Sequence, residues 1–222
     1  MNWSKAATVI DDGSGVSLPH NTRMFLSTTA TQNVDSYFTP NLLGGSVEFD
    51  TNISEKNCGC IAAIYTVLMP GRGQDGSLNS EDHHYCDAQA VGGTFCPEFD
   101  IMEANTYSYH TTAHKCNEPN EFGYFDDCDK SGQCTTQALG DTDFGPSSDY
   151  SINSLQSFHV KIDFKKSSEG QFSGYTTTLS QSDQDIVFET TCDYLNYMTE
   201  DLSSGMTFAM SSWSPSDPPT WL

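Results

Sequence analysis

Short segments in which apolar and polar residues alternate recur along the chain and predict an all-β protein. The clearest is 158–164, where every second residue is apolar, as in a strand with one buried face. The largely apolar segment 61–69, interrupted by a tyrosine and a threonine, indicates a buried central strand. The other predicted strands are 9–10, 16–18, 23–27, 47–50, 174–179, 186–189 and 206–211. Strands of this length, separated by turns rich in glycine and aspartate, predict an antiparallel sandwich or barrel.

Two regions depart from this alternation. One short helix is predicted at 194–201. The segment 104–150 is predicted to be a long loop, because it is rich in Asn, Asp, Gly, Ser and Cys and shows little periodicity. A loop of that length is usually functional, pinned by disulfides, or both.

Three acids stand in the otherwise apolar segment Phe95–Asn105. Glu98 and Asp100 would share one face of a strand, whereas Glu103 would fall on the other face. One β-bulge at Ile101–Met102 would bring all three acids together. Close carboxylates raise one another's pKa, and a pair with separated pKa values is what glycoside hydrolysis requires. An exposed acidic strand or part of a calcium site remains an alternative, but the apolar residues between the acids favour catalysis.

Length and charge limit the possible functions. The 222 residues are enough for one domain, predicted to span 1–222, and no segment is apolar over the length of a membrane helix. The chain has 30 Asp and Glu against 9 Lys and Arg, a net charge of −21. This charge argues against nucleic acid and anionic membranes as partners and suits a neutral or cationic polymer. Eight cysteines without a zinc-ligand spacing predict disulfides and an extracellular setting.

Other candidate sites are weaker. His110 and His114 fall in the predicted loop, where a single histidine is more often a surface residue than a catalytic one. The run Asp82-His83-His84 has no matching ligand cluster, and Asp127–Gly132 lacks the closing glutamate of a calcium loop and is interpreted as a turn. No metal and no cofactor is expected.

Three motifs in order resemble glycoside hydrolase family seven, the family of fungal cellobiohydrolases and endoglucanases. They are Tyr-Cys-Asp-x-Gln at 85–89, Glu-x-Asp-x-x-Glu-Ala-Asn at 98–105, and His-x-Cys at 114–116. The acidic core alone is shared with family sixteen glucanases, so the flanking residues carry the likeness. It extends in order over roughly 23–222, with poor matching in the loops.

The resemblance implies a concanavalin-like β-jelly-roll sandwich of two antiparallel sheets with long disulfide-pinned loops. It implies a retaining mechanism in which Glu98 is the nucleophile, Glu103 the general acid and base, and Asp100 the residue that orients Glu98. The implied substrate-binding residues are Tyr65, Asp87, Gln89, His114, Trp213 and Trp221. The implied disulfides are Cys86–Cys96, Cys116–Cys128 and Cys134–Cys192.

The chain also departs from the family pattern. It is about half the usual family length, so the loops that roof a cellobiohydrolase tunnel have no room, and an open cleft with endo action is expected. Ile61 stands where the family usually has a polar residue close to the nucleophile. Glu121 and Gln137 fall near the places of product-side arginines. Cys58 and Cys60 would be free, bonded to each other, or otherwise paired.

The sequence thus predicts a secreted, monomeric, retaining endo-β-1,4-glucanase whose partner is a β-glucan. Mixed-linkage glucan, β-1,3-glucan and chitosan remain alternative substrates. A polysaccharide lyase and a non-catalytic glycan-binding module on the same fold are the alternatives from other functional classes. The shortage of cationic residues argues against the lyase.

Overall fold

The alternating segments fold into two packed β-sheets. The fold is described by a computed structural model that covers residues 7–10, 13–30, 33–57 and 59–214. The strands in these residues are β1 (Thr8–Val9), β2 (Val16–Ser17), β3 (Thr22–Phe25), β4 (Ser46–Thr51), β5 (Ile61–Val67), β6 (Glu98–Ala104), β7 (Tyr109–His114), β8 (Cys134–Ala138), β9 (Phe144–Gly145), β10 (Ile152–Asn153), β11 (Phe158–Lys166), β12 (Phe172–Gln181), β13 (Gln184–Thr190) and β14 (Thr207–Trp213).

Six strands form one sheet, in the order β3-β14-β5-β6-β7-β8, which we call the cleft sheet. Four strands form the outer sheet, in the order β13-β12-β11-β4. All neighbours within these two sheets are antiparallel, so the predicted all-β sandwich is confirmed. The short strands β1 and β2 pair with each other, as do β9 and β10.

The core lies between the two sheets and follows from the alternation in β11. Phe158, Val160, Ile162 and Phe164 are buried, and the residues between them are not. Phe99 of β6 projects from the cleft sheet against this layer, with its ring centroid 4.9 Å from that of Phe164. Because Phe99 points into the core, its two neighbours in β6 point out of the cleft sheet on the opposite face.

The prediction of a loop at 104–150 is wrong, since this segment contributes β7 and β8 to the cleft sheet. Every residue of β7 is buried, yet the sequence Tyr-His-Thr-Thr-Ala-His has no apolar face. Its outward side chains line a polar cleft, and its inward threonine and tyrosine carry hydroxyl groups. The alternation that predicts a strand is therefore absent although the strand is present.

The predicted helix differs in extent. A 3-10 turn at Leu195–Met198 leads into one helix, α1 (Thr199–Ser204), which buries Leu202 against the core. Other 3-10 turns are Val34–Ser36, Asp82–His84 and Gly140–Thr142. In the part of the chain that the structure describes, no helix has the length and apolar composition needed to span a membrane.

The three disulfides implied by the family resemblance are present: Cys86–Cys96, Cys116–Cys128 and Cys134–Cys192. Each has at least one cysteine at the place where β6 begins, β7 ends or β8 begins, and Cys134–Cys192 reaches from there to the segment after β13 of the outer sheet. We call this side of the sheet the Glu98 end. Within the described ranges Cys60 is a free thiol, and Cys58 lies outside them.

Candidate active site

A β-bulge brings the three acids of β6 to one face. In the register between β6 and β7, Ile101 and Met102 together stand opposite the single residue Thr111. The register between β5 and β6 shifts at the same place. The predicted bulge is therefore confirmed, and it turns Glu103 to the face that carries the two preceding acids.

The acids lie at the base of a cleft on the cleft sheet, with a cavity volume of about 580 Å³. Glu98 and Asp100 are only 7% and 5% exposed. The residues lining the cleft include all three acids and five of the six residues that the family resemblance implied for substrate binding, namely Tyr65, Asp87, Gln89, His114 and Trp213. The sixth, Trp221, lies outside the described residues.

Glu98 is held by a backbone donor. The backbone N–H of Ala88 donates a hydrogen bond of 3.0 Å to Oε2 of Glu98. Burial raises the pKa of Glu98 well above its usual range, and the charges of Asp100 and Asp87 raise it further. The Ala88 N–H acts in the other direction, because it favours the carboxylate. The loop before β6 therefore supplies the interaction that stabilises an ionised Glu98.

Asp100 and His114 form a buried ion pair. His114 Nε2 lies 3.0 Å from Asp100 Oδ2, and His114 Nδ1 lies 2.6 Å from the backbone carbonyl of Asp129. Burial alone would lower the pKa of His114, but the hydrogen bond and charge of Asp100 and the carbonyl of Asp129 raise it to about 9. His114 is thus a buried cation in β7, and its prediction as a loop histidine is wrong.

Glu103 has a raised pKa and keeps its proton near neutral pH. Burial raises its pKa to about 8, with a further contribution from the charge of Asp100, while His114 acts in the opposite direction. A carboxylic acid that keeps its proton at pH 7 can act as a general acid. The protonated form also removes one negative charge that would oppose ionisation of Glu98.

These shifts predict a protein that loses stability at alkaline pH. Glu103 and His114 have folded-state pKa values of about 8 and 9, above their ordinary values of 4.5 and 6.5. Each raised pKa contributes stability that is full below the ordinary value and is lost as the pH rises through the folded value. We expect the free energy of unfolding in urea to fall by several kcal/mol between pH 5.5 and pH 9, since each of the two groups contributes roughly 3 kcal/mol.

The control for this prediction is Glu103→Gln, which cannot titrate at this position. The variant should lose less stability than the wild type over the same pH range. A free energy of unfolding that rises between pH 6 and pH 9 would contradict the raised pKa values.

Three implied substrate-binding residues are also part of the cleft wall. The hydroxyl of Tyr85 donates a hydrogen bond of 3.3 Å to the hydroxyl of Tyr65 on the cleft floor. Asp87 accepts hydrogen bonds from the backbone N–H groups of residues 89 and 91. Gln89 Nε2 donates to the carbonyl of Lys130 at 2.6 Å. This last bond joins the loop before β6 to the loop before β8, so the two loops form one continuous wall at the Glu98 end.

Several residues that line the cleft were missed in the sequence. They are Arg23, Tyr85, His110, Thr112, Lys130, Thr135, Gln137 and Ser211. His110 stands directly opposite Glu103, and Gln137 stands opposite His110 in the next strand. Thr112 and His110 precede His114 by two and four residues. If β7 had been predicted as a strand, this spacing would have placed all three residues on the same face.

Comparisons with known proteins agree with this fold. No protein-family model matches the chain. An endoglucanase type C of Fusarium oxysporum is 30% identical over 170 residues, which cover 63% of this chain and 39% of that enzyme. A solved endoglucanase I in complex with cellobiose superposes with a TM-score of 0.69 at 25% identity, covering 83% of this chain and 60% of that one.

A family seven cellobiohydrolase from Daphnia pulex has the same fold, with a TM-score of 0.68 at 21% identity over 88% of this chain and 62% of that one. The chain is similar in sequence to curated endoglucanases and shares its fold with solved enzymes of glycoside hydrolase family seven. Its two sheets form the β-jelly-roll sandwich of that family. The chain spans about half the length, or less, of the curated relatives it matches.

One expectation drawn from the family is wrong in its geometry. Ile61 was expected close to Glu98, but the residue of β5 opposite Glu98 is Val67. Ile61 begins β5 and stands opposite Trp213. It precedes Val67 by six residues, which is about 20 Å along an extended strand. It is fully buried in an apolar cluster, so it packs the far end of the cleft floor and has no contact with the proposed nucleophile.

Proposed function

We propose that the protein is a retaining endo-β-1,4-glucanase that acts on a β-glucan bound across the cleft sheet. The observation that carries the proposal is the cluster of three acids on one face of β6, two buried and one partly buried, at the base of a cleft. Within this cluster Glu103 keeps its proton, and Glu98 receives the N–H of Ala88. A retaining glycosidase needs a protonated carboxyl group beside an ionised one, and we infer that Glu98 is the ionised one because the N–H of Ala88 favours its carboxylate form.

The first step forms a glycosyl-enzyme intermediate. The carboxylate of Glu98 attacks the anomeric carbon while Glu103 donates its proton to the glycosidic oxygen. The bond between the anomeric carbon and the glycosidic oxygen breaks. In the second step the Glu103 carboxylate takes a proton from water, the water oxygen attacks the same carbon, and Glu98 is released. Retention requires the two carboxyl groups to stand about 5–5.5 Å apart on one face, which the bulge supports.

The neighbours of the two acids indicate the direction of the glucan. Glu103 interacts with the charge of His114 on β7, whereas Glu98 interacts with Asp87 in the loop before β6 and with Tyr65 of β5. The general acid must reach the oxygen of the departing sugar, so we place the leaving-group side over β7 and β8. The retained sugars then lie over β5 and β14, where Trp213 lines the cleft and can stack on a sugar ring.

The roles of Asp100 and His114 follow from their ion pair. Asp100 lies between the two catalytic acids in β6, and its carboxylate is fixed by His114. We infer that Asp100 orients Glu98 and keeps the proton of the cluster on Glu103. The three disulfides support an oxidising, extracellular place of action.

The substrate class can be tested with four polymers. We expect reducing ends to be released from carboxymethyl cellulose and lichenan, with a large fall in viscosity for each reducing end released, because an endo enzyme cuts within chains. Laminarin and chitosan should give no product. Release from laminarin or chitosan alone would contradict the proposal. Binding without release would support a non-catalytic module, and an unsaturated product absorbing in the ultraviolet would support a lyase.

A further inference from the structure

The carbonyl group of Ile101 is held by two side chains. Among the described residues, Ile101 is in register with no residue of either neighbouring strand, because it lies in the bulge. Its carbonyl oxygen accepts a hydrogen bond of 2.9 Å from the hydroxyl of Tyr109 and one of 3.0 Å from the hydroxyl of Thr111. Both donors belong to β7, the strand opposite the bulge, and both are fully buried.

These donors are themselves supported by the outer sheet. The hydroxyl of Thr177 in β12 donates to the hydroxyl of Thr111 at 3.2 Å. The hydroxyl of Tyr175 donates to the backbone carbonyl of Thr111 at 3.1 Å, and its ring meets Phe99 edge-on at 5.1 Å. A chain of hydroxyl groups therefore crosses the core from the outer sheet to the bulge.

A chain of this kind needs a reason, because the surrounding core is apolar. A buried hydroxyl group costs free energy unless it is hydrogen-bonded, and valine would fill the place of each threonine without that requirement. The bulge itself supplies the reason. A bulge leaves backbone groups without their ladder partners, and a buried carbonyl in that state must be satisfied by side chains.

We propose that Thr111 and Tyr109 are positioning residues that hold the bulge in β6 and thereby aim Glu103 at the glycosidic oxygen. The proposal rests on the function proposed above. Glu103 follows the anchored carbonyl by two residues. If β6 slipped into regular pairing, the side chains after the bulge would exchange faces and Glu103 would turn towards the core. The hydroxyl groups oppose that slip, because regular pairing would leave them without an acceptor.

The experiment compares three variants in the full chain. Thr111→Val removes the hydroxyl at constant size, and Thr111→Ser keeps it. Thr66→Val is the matched control, since Thr66 is a fully buried threonine of the neighbouring strand β5 whose hydroxyl faces Met206 rather than the bulge. We expect Thr111→Val to lower kcat on carboxymethyl cellulose by about 10- to 100-fold with KM changed less than about twofold. Thr111→Ser and Thr66→Val should keep kcat within about threefold.

A second readout does not depend on turnover. The titration of the Glu103 carboxyl carbon, followed by NMR, should shift away from its wild-type position in Thr111→Val, because the carboxyl group changes its surroundings, and should stay in place in Thr66→Val. Equal kcat and equal Glu103 titration in these two variants would overturn the proposal. A wild type that releases no sugar would contradict the proposed function alone, and the titration would still decide the positioning role.

Tyr109→Phe provides an independent variant, because it removes the other donor to the same carbonyl. Should Thr111→Val fail to fold, a lowered kcat at constant KM in Tyr109→Phe supports the proposal. A wild-type kcat in that variant overturns it.

Discussion

Replacing Glu98 with glutamine should reduce β-glucan hydrolysis at least ~10⁴-fold while leaving glucan binding measurable, since an amide cannot form the glycosyl-enzyme intermediate. Glutamine has nearly the size of glutamate, so the cleft keeps its shape. The amide oxygen can still accept the N–H of Ala88, which holds the Glu98 side chain at 3.0 Å. The variant therefore removes the nucleophile and little else.

Two measurements check this expectation. Reducing-sugar release gives the rate, and calorimetric titration with a cello-oligosaccharide gives the dissociation constant. Glu169→Gln is the matched control, since it makes the same chemical change in the exposed turn between β11 and β12 of the outer sheet. Wild-type turnover in Glu98→Gln would eliminate the double-displacement mechanism.

Replacing Glu103 with alanine should produce a loss that depends on the leaving group. General acid–base catalysis contributes about 10²- to 10⁴-fold, and the proton of Glu103 is needed most when the departing group is a sugar hydroxyl. We expect a loss near the upper end of that range on cello-oligosaccharides. The dinitrophenolate group of a dinitrophenyl cellobioside leaves without needing a proton, so cleavage of this substrate by Glu98 should slow far less.

The cavity left by Glu103→Ala also permits a direct test of the second step. Azide needs no general base, so adding it should accelerate turnover of the dinitrophenyl substrate and give the β-configured glycosyl azide. Such a product identifies Glu103 as the acid and base, because the azide enters from the side that the missing carboxylate served. Equal losses on both substrates, or an azide of α configuration, would contradict this role.

The sequence was informative where one face of a strand is apolar. The β11 segment keeps strict alternation, and the structure places its apolar residues in the core as predicted. The odd spacing between Asp100 and Glu103 predicted a bulge, because only an extra residue brings both to one face. Sequence reasoning failed at β7, where the cleft and the hydroxyl chain both demand polar side chains.

The composition of the cleft was harder to predict than its acids. The motif identifies Glu98 and Glu103 from one segment, but Arg23, His110 and Gln137 come from three other strands. Only the register of the sheet brings them to the cleft. The misplacement of Ile61 has the same origin, since a residue can be assigned to the correct strand and still lie at the wrong end of it.

All three disulfides lie at the Glu98 end of the cleft sheet, and the apolar core between the sheets contains its own packing of aromatic rings. Two of the cross-links therefore secure the wall of the site, whereas Cys134–Cys192 joins β8 to the segment that follows β13 of the outer sheet. A chain made in a reducing compartment would leave the wall beside Glu98 without its two cross-links. For this protein, the yield of folded material and the specific activity are separate quantities, because the specific activity also depends on formation of the disulfides beside the site.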